Sequence, residues 1–101
     1  MPLGEQQAIE ERYGLSVQEL TPLLAESFSY RSPKGVLVSD VRRGSPAEKD
    51  GLRRGDIFAE IGGESIADLT SLKKALEKAK PPTPARIFRR GLFLSFPLHL
   101  K

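Results

Sequence analysis

The length of this chain constrains its fold more than any other feature of the sequence. Its 101 residues fall within the usual size of one domain, and a domain of this size buries about 60–70% of the surface that its unfolded chain would expose. That leaves room for one hydrophobic core and for no second folded unit. Hydrophobic residues make up 39% and charged residues 29% of the chain, as in an ordinary globular protein.

Cysteine content and hydropathy exclude several classes of protein. The chain has no cysteine, so it has neither a disulfide framework nor a thiolate-ligated metal site. No apolar run reaches the roughly 18 residues that span a bilayer, and we expect no direct membrane insertion. The N-terminus is polar and acidic, unlike a signal peptide, so the signal of an exported parent protein would lie outside this chain. We expect residues 1–11 to be a linker or lead-in.

The positive charge of the chain does not predict nucleic-acid binding. The net charge is +3, with 13 acidic residues among 16 basic ones. The arginine pairs 42–43, 53–54 and 89–90 each lie beside a glycine, which places them at separate turns rather than on one face. Aromatic residues amount to only 7%, and no nucleic-acid motif is present. We therefore expect no nucleic-acid partner.

The pattern of apolar and turn residues predicts an α+β domain. Residues 5–12 are expected to form a short helical lead-in in which only Ile9 has anything to bury. The best-supported helix should begin after the cap Asp68 and stop before the prolines at 81–82. Thr21 and Ser45, each followed by proline, are predicted to cap short helices, at 23–28 and directly after Ser45. Strands are predicted at 16–20, 36–41, 57–61, 85–89 and 92–98, with a further extended segment at 65–66. Five to six short strands, one long helix and one or two short helices indicate a partly open antiparallel β-barrel.

The sequence offers no catalytic or metal-binding arrangement. The single histidine, His99, lies in the last strand, and no serine lies in a Gly-x-Ser-x-Gly elbow. Neither a His-Glu-x-x-His pattern nor an EF-hand spacing is present. We therefore expect no catalytic residues, no metal and no cofactor.

One short segment has the form of a peptide-binding loop. Glycine in Arg12-Tyr13-Gly14-Leu15 lets successive backbone N–H groups face one anion, such as a peptide carboxylate. The residues that follow, Ser16, Val17, Gln18 and Glu19, are predicted to form an edge strand, which can accept an added peptide strand. The apolar residues on either side of Gly14 would then form a pocket for the last side chain of the peptide.

A second set of motifs carries a family resemblance. The segments 35–38 (Gly-Val-Leu-Val), 44–47 (Gly-Ser-Pro-Ala) and 51–57 (Gly-Leu-Arg-Arg-Gly-Asp-Ile) follow one another in a fixed order. Together they resemble bacterial-type PDZ domains, especially those of Deg/HtrA-family periplasmic serine proteases. Residues 14–22 are similar to the opening of the more C-terminal PDZ domain of those proteins. The resemblance makes 12–101 the PDZ domain, and we expect the middle motifs to identify the fold without touching ligand.

The resemblance implies a peptide groove between the strand at 16–19 and the long helix. Arg12, Tyr13, Gly14 and Leu15 would hold the carboxylate. The terminal side chain of the ligand would lie among Tyr13, Leu15, Val17 and Leu76, with Leu69, Leu72 and Lys73 further along the groove. Such domains usually have histidine where this chain has Leu69, which predicts an apolar ligand side chain at that position. The chain also departs from the family pattern at Gly62 and in the proline-rich link at 81–84.

The resemblance implies a non-catalytic module of a serine endopeptidase active in protein quality control. Its ligands would be protein C-termini or unfolded segments, and its location the periplasm or cell envelope of a bacterium. One alternative is a structural domain that packs against sister domains of an oligomer and binds little peptide. Another is the PDZ domain of a membrane metalloprotease or a secretion component. Sequences flanking the chain would distinguish between these parents.

Overall fold

The computed structural model describes residues 3–99 of the chain. Its helices are α1 (Leu3–Tyr13), α2 (Pro22–Ser27), α3 (Pro46–Lys49) and α4 (Leu69–Lys78). Its strands are β1 (Leu15–Glu19), β2 (Val36–Val41), β3 (Ile57–Ile61), β4 (Glu64–Ser65), β5 (Thr83–Arg89) and β6 (Leu92–Leu98). The predicted helices and strands are confirmed to within a few residues at each end.

The strands form one antiparallel sheet in the order β1-β2-β3-β5-β6, with β4 paired to β3. Strands β1 and β6 are therefore the two edges of the sheet. The register between β1 and β2 shifts at a bulge between Ser16 and Val17, and a second irregularity lies in β3 opposite β5. Bulges increase the local twist and curl an open sheet. The predicted α+β, partly open antiparallel architecture is confirmed.

Helices α2, α3 and α4 each begin at a side-chain cap that the sequence predicts. Thr21, Ser45 and Asp68 each accept a hydrogen bond from the backbone N–H three residues later, at 3.1, 3.2 and 2.8 Å. Proline follows the first two caps in the first helical turn, where its missing N–H is harmless. The bond from the Ser71 backbone N–H lowers the pKa of Asp68, because it stabilises the ionised carboxylate. These local signals set where each helix starts.

Two hydrophobic clusters lie on the two faces of the sheet. The main cluster packs under α1 and α4, and the second lies on the opposite face under α2. Alternation along β1 assigns its residues to these clusters: Leu15 and Val17 point into the main one, and Leu20 just beyond the strand belongs to the second. The second cluster also contains Ala25, Leu37, Ile57 and Phe88.

The turn before β3 is fixed by a buried charge. The side chain of Asp56 is fully buried, and its two carboxylate oxygens accept bonds of 2.7 Å each from the Arg89 guanidinium. Asp56 also accepts from the Arg53 backbone N–H at 2.9 Å, and Arg89 donates to the Gly51 carbonyl at 2.8 Å. These bonds to Asp56 are the main cause that raises the pKa of Arg89. These bonds attach the segment 51–57, which follows α3, to the end of β5. The Gly-Leu-Arg-Arg-Gly-Asp-Ile motif is therefore explained by its role in folding.

Candidate functional site

Strand β1 and helix α4 bring the apolar residues of the predicted site together. All of them lie in the main hydrophobic cluster, and each has at most 5% of its surface exposed. The set is Tyr13, Leu15, Val17, Leu69, Leu72 and Leu76. Their burial shows that the predicted pocket is filled in this conformation of the chain. Whether these residues contact a ligand stays a prediction.

The polar members of the predicted site lie around this buried set. Arg12 is exposed, with its guanidinium 5.8 Å from the centroid of the Tyr13 ring. Ser16, Gln18 and Lys73 are half-buried. Burial raises the pKa of the Tyr13 phenol, the Arg12 charge opposes that rise, and the carboxylate of Glu77 on α4 adds to it. Tyr13 therefore lies close to the C-terminal half of α4.

The backbone of β1 alternates between β2 and the open edge of the sheet. The Arg42 N–H donates to the Gly14 carbonyl at 2.9 Å, and the Leu20 N–H donates to the Gly35 carbonyl at 2.9 Å. Residues 14, 16, 18 and 20 therefore direct their backbone groups toward β2. The groups of 15, 17 and 19 point to the open side, where an added strand would form its hydrogen bonds.

Gly14 is required by close packing as well as by its backbone angle. Its φ is +76°, in the left-handed region that glycine adopts without strain. A Cβ placed on Gly14 would lie 2.3 Å from the Cβ of Ser45 and 2.8 Å from its Oγ. Ser45 is the cap of α3, so the loop before β1 rests directly on the Gly-Ser-Pro-Ala motif. The sequence pattern indicates a ligand-loop role for Gly14 but gives no sign of this contact with Ser45.

Helix α1 uses backbone donors that the sequence assigns to a peptide carboxylate. The Gly14 N–H donates to the Glu10 carbonyl at 2.9 Å and closes the last turn of α1. Tyr13 is the last residue of that helix, where the backbone N–H faces the carbonyl four residues earlier. In this conformation both donors are satisfied within α1.

Helix α1 also packs against both β1 and α4. Ile9 is 1% exposed and belongs to the main cluster. The side-chain amide of Gln6 donates to the Val17 carbonyl at 2.9 Å, and the Ser16 hydroxyl donates to the Glu10 carboxylate at 2.8 Å. The predicted helical lead-in is confirmed, but its position on the open edge of β1 was not foreseen. The signal of it is Ile9, the one large apolar side chain between positions 5 and 12.

The far end of the groove is closed by Glu19. Its carboxylate accepts a hydrogen bond of 3.0 Å from the Leu69 N–H, in the first turn of α4. A carboxylate is favoured there because the first N–H groups of a helix lack partners and carry partial positive charge. The predicted role of Glu19 in strand pairing concerns its backbone and stays a prediction, and its side chain links β1 to α4.

The remaining chemistry-bearing side chains lie elsewhere. His99 contacts Asp50, with 3.0 Å between its ring Nδ1 and one carboxylate oxygen and 2.7 Å from its backbone N–H to the other. Between residues 3 and 99, no group of three or more His, Asp or Glu side chains is placed to hold a metal ion. Within the same range, no helix has the length and apolar character needed to cross a membrane.

Comparison with known families assigns this architecture. Residues 5–86 match the PDZ domain family, so the chain belongs to that family. The match begins within α1 and ends in β5, and therefore contains the whole of the predicted groove. The resemblance seen in the sequence motifs is confirmed.

The chain is similar to proteins named probable periplasmic serine endoprotease DegP-like. It is 38% identical over 80 residues to that of Hahella chejuensis, which covers 77% of the chain and 17% of the relative. Over 87 residues it is 32% identical to that of Chlamydia muridarum, with 84% of the chain and 18% of the relative covered. The chain thus spans about a sixth of the length of these curated relatives. Their names agree with the periplasmic location expected from the resemblance.

Solved structures of the HtrA type share the fold. The PDZ domain of HtrA3 bound to the phage-derived ligand FGRWV has a TM-score of 0.71 at 24% identity, covering 83% of this chain and 78% of that one. The HtrA-type protease AlgW with a decapeptide has a TM-score of 0.68 at 27% identity, covering 91% of this chain and 31% of that one.

Proposed function

We propose that this domain binds extended peptide segments, foremost protein C-termini, on the open edge of β1. It would act as the substrate-recognition or regulatory part of a DegP-like serine endoprotease in the bacterial periplasm. The observation that carries the proposal is the edge position of β1, whose buried side chains form one cluster with those of α4. The peptides named in the HtrA3 and AlgW structures support it.

The ligand would add antiparallel to residues 16–19. Backbone groups of residues 15, 17 and 19 would form the ladder, and the N–H groups of Tyr13, Gly14 and Leu15 would receive the carboxylate. Its terminal side chain would take the apolar space among Tyr13, Leu15, Val17 and Leu76. Arg12, exposed beside this loop, adds positive charge where the carboxylate arrives. Lys73 and Leu69 would lie beside earlier ligand residues.

A screen of C-terminal peptides against the domain tests this function. The tightest free-acid peptide is then compared with the same peptide amidated at its C-terminus. Hydrogen bonds to charged groups contribute about 1.5–3 kcal/mol, so amidation should weaken binding about tenfold or more. Equal affinities of the free-acid and amidated peptides would mean that the domain does not recognise the carboxylate.

Chemical-shift mapping locates the bound peptide. The backbone amides of residues 14–18 should move on titration with an apolar-ended peptide, whereas those around Arg42 and Arg89 should stay in place. The opposite pattern would contradict the groove assignment. Lys74→Ala serves as a surface control, because Lys74 is exposed on α4.

We also propose that the domain itself hydrolyses nothing. The sole histidine is engaged by Asp50 at the end of β6 and is remote in sequence from the groove residues. A nucleophile needs a base within hydrogen-bond reach. Casein and ester substrates should therefore remain intact, and turnover that is lost in His99→Ala would overturn this part of the proposal.

A structural role is the second candidate, and the burial of the predicted pocket favours it. A domain whose groove is filled by its own chain could pack against sister domains and bind little peptide. The same peptide screen decides between the two functions: a set of binders supports recognition, and none supports the structural role.

A further inference from the structure

Helix α1 lies along β1 in the direction that a bound peptide would take. Glu10 contacts Ser16 and the earlier residue Gln6 contacts the later residue Val17, so α1 runs antiparallel to β1. Its C-terminal end lies at the loop that should hold a peptide carboxylate. This is the direction and the end point expected for a bound peptide.

Helix α1 and a peptide would also require the same atoms. The Val17 carbonyl, on the open side of β1, accepts from the Gln6 amide at 2.9 Å. The Gly14 N–H donates to the Glu10 carbonyl at 2.9 Å. Ile9, 1% exposed, lies in the cluster that contains Leu15 and Leu76. A bound peptide would need the Val17 carbonyl for its ladder, the Gly14 N–H for its carboxylate and the apolar space beside Leu15 and Leu76 for its last side chain. Helix α1 already bonds the first two groups and places Ile9 in the same cluster as Leu15 and Leu76.

Helix α1 is weakly supported apart from this docking. It has 11 residues, LGEQQAIEERY, and isolated helices shorter than about 12–15 residues are marginal in water. Among the side chains of α1 that the structure describes, Ile9 and the terminal Tyr13 enter the main cluster. Its helical order therefore depends on contact with β1 and α4, and loss of that contact would release the segment as a disordered chain.

We propose that α1 is a displaceable internal occupant of the peptide groove, so that peptide binds only to the fraction of molecules in which α1 has undocked. This inference rests on the proposed peptide-binding function and adds a control of it by the segment that precedes β1. The apparent dissociation constant then equals the intrinsic one divided by the undocked fraction.

Neighbouring glutamines provide a matched pair of variants. Gln6→Ala removes the bond to the Val17 carbonyl, whereas the side chain of Gln7 is exposed and bonds Glu11 within the same helix, at 3.3 Å. Both changes alter helix propensity equally. A net hydrogen bond is equivalent to about a two- to tenfold change in an equilibrium, so Gln6→Ala should tighten peptide binding by that factor relative to Gln7→Ala.

A third variant should move affinity the other way. Gly4 lies in α1 with nothing within 4 Å of where its Cβ would be. Alanine there favours the helix without touching the groove. Because Gly4 is only the second residue of α1, the change should weaken peptide binding by at most about two- to fivefold. Opposite shifts from two changes in one helix would not arise from general destabilisation.

The probe is a fluorescently labelled FGRWV with a free carboxylate, titrated against the wild type and the three variants. Amide hydrogen exchange is measured in parallel, with and without saturating peptide. We expect the affinity order Gln6→Ala, then Gln7→Ala and wild type, then Gly4→Ala. Amides of residues 6–13 should exchange faster than those of β3 in the free protein, and lose protection further with peptide.

Equal affinities in all four proteins, or α1 amides that stay protected when peptide is bound, would overturn the displacement and leave peptide binding intact. If none of the four proteins binds the peptide, and an Ile9→Ala variant does not bind it either, both the peptide-binding function and the displacement would be refuted. If the amides of α1 in the free protein exchange hydrogen only when those of β3 do, the proposal would likewise be overturned, because α1 would then be a fixed part of the core.

Discussion

Alanine at position 14 tests why the predicted ligand loop contains a glycine. The φ of Gly14 is +76°, and a Cβ there would lie 2.3 Å from the Ser45 Cβ. A left-handed conformation costs an L-residue about 1–2 kcal/mol, and overpacking costs roughly 1–3 kcal/mol more. Gly14→Ala should therefore lower the free energy of unfolding by about 2–5 kcal/mol, measured by urea denaturation.

Gly44 provides the control for backbone strain alone. Its φ is +78°, almost that of Gly14, but nothing lies within 4 Å of its added Cβ. Gly44→Ala should therefore cost only the conformational part, about 1–2 kcal/mol. The difference between the two alanine variants measures the contact with Ser45.

Ser45→Gly isolates that contact directly. Glycine at a helix cap costs only a few tenths of a kcal/mol relative to serine, and it removes both atoms that the new Cβ would meet. The next nearest atom, the Arg42 Cβ, is 3.5 Å away, an ordinary contact. The double variant Gly14→Ala/Ser45→Gly should recover roughly 1–3 kcal/mol, which appears as a coupling energy in the cycle.

Additive effects of the two substitutions, or equal losses in Gly14→Ala and Gly44→Ala, would refute the packing argument. The double variant also separates folding from recognition. If its stability is restored and its peptide affinity matches the wild type, the glycine serves packing. If stability is restored but affinity is not, the loop itself requires glycine for ligand approach.

Two further predictions concern charge. Arg89→Ala leaves the buried Asp56 carboxylate without its cation and should cost about 3–5 kcal/mol, whereas exposed Arg90→Ala should stay within about 0.5 kcal/mol; equal losses in denaturation would contradict the assignment. In Tyr30→Phe, which leaves Tyr13 as the only tyrosine, the phenol should titrate with a pKa above 10.0, because burial disfavours the phenolate. Because the pKa of Tyr13 is raised in the folded state, its contribution to the free energy of unfolding is complete below pH 10.0 and is lost as pH rises through the folded-state pKa. A Tyr13→Phe control should lack that loss.

Much of the fold could be predicted because its signals are local. Thr21, Ser45 and Asp68 each cap a helix through a bond to a residue three positions later. The alternation of Leu15 and Val17 with Leu20 assigns them to opposite faces of the sheet. Such signals need only a few neighbouring residues to be interpreted.

The contacts that were missed join residues far apart in the chain. Glu19 and Leu69 are 50 positions apart, Asp56 and Arg89 are 33 apart, and Gln6 and Val17 are 11 apart. A polar side chain gives no sequence pattern that names its partner. For the same reason the sequence predicts a ligand loop at Tyr13 to Leu15 but does not predict that α1 uses the backbone N–H groups of Tyr13 and Gly14.

The two candidate functions make opposite demands on α1, and its anchoring differs from that of the rest of the domain. A recognition module needs an α1 that undocks at a small cost in free energy, whereas a structural domain needs an α1 that stays docked. Asp56 fixes its turn through a fully buried charge, whereas the described contacts that hold α1 are the Gln6 amide, an exposed Glu10–Ser16 bond and the buried side chains of Ile9 and Tyr13. Segments with few buried contacts open at the lowest free energies. An exposed sheet edge also invites unwanted pairing, so under the proposed displacement α1 would cover β1 between ligands and would yield to one, as a recognition module requires.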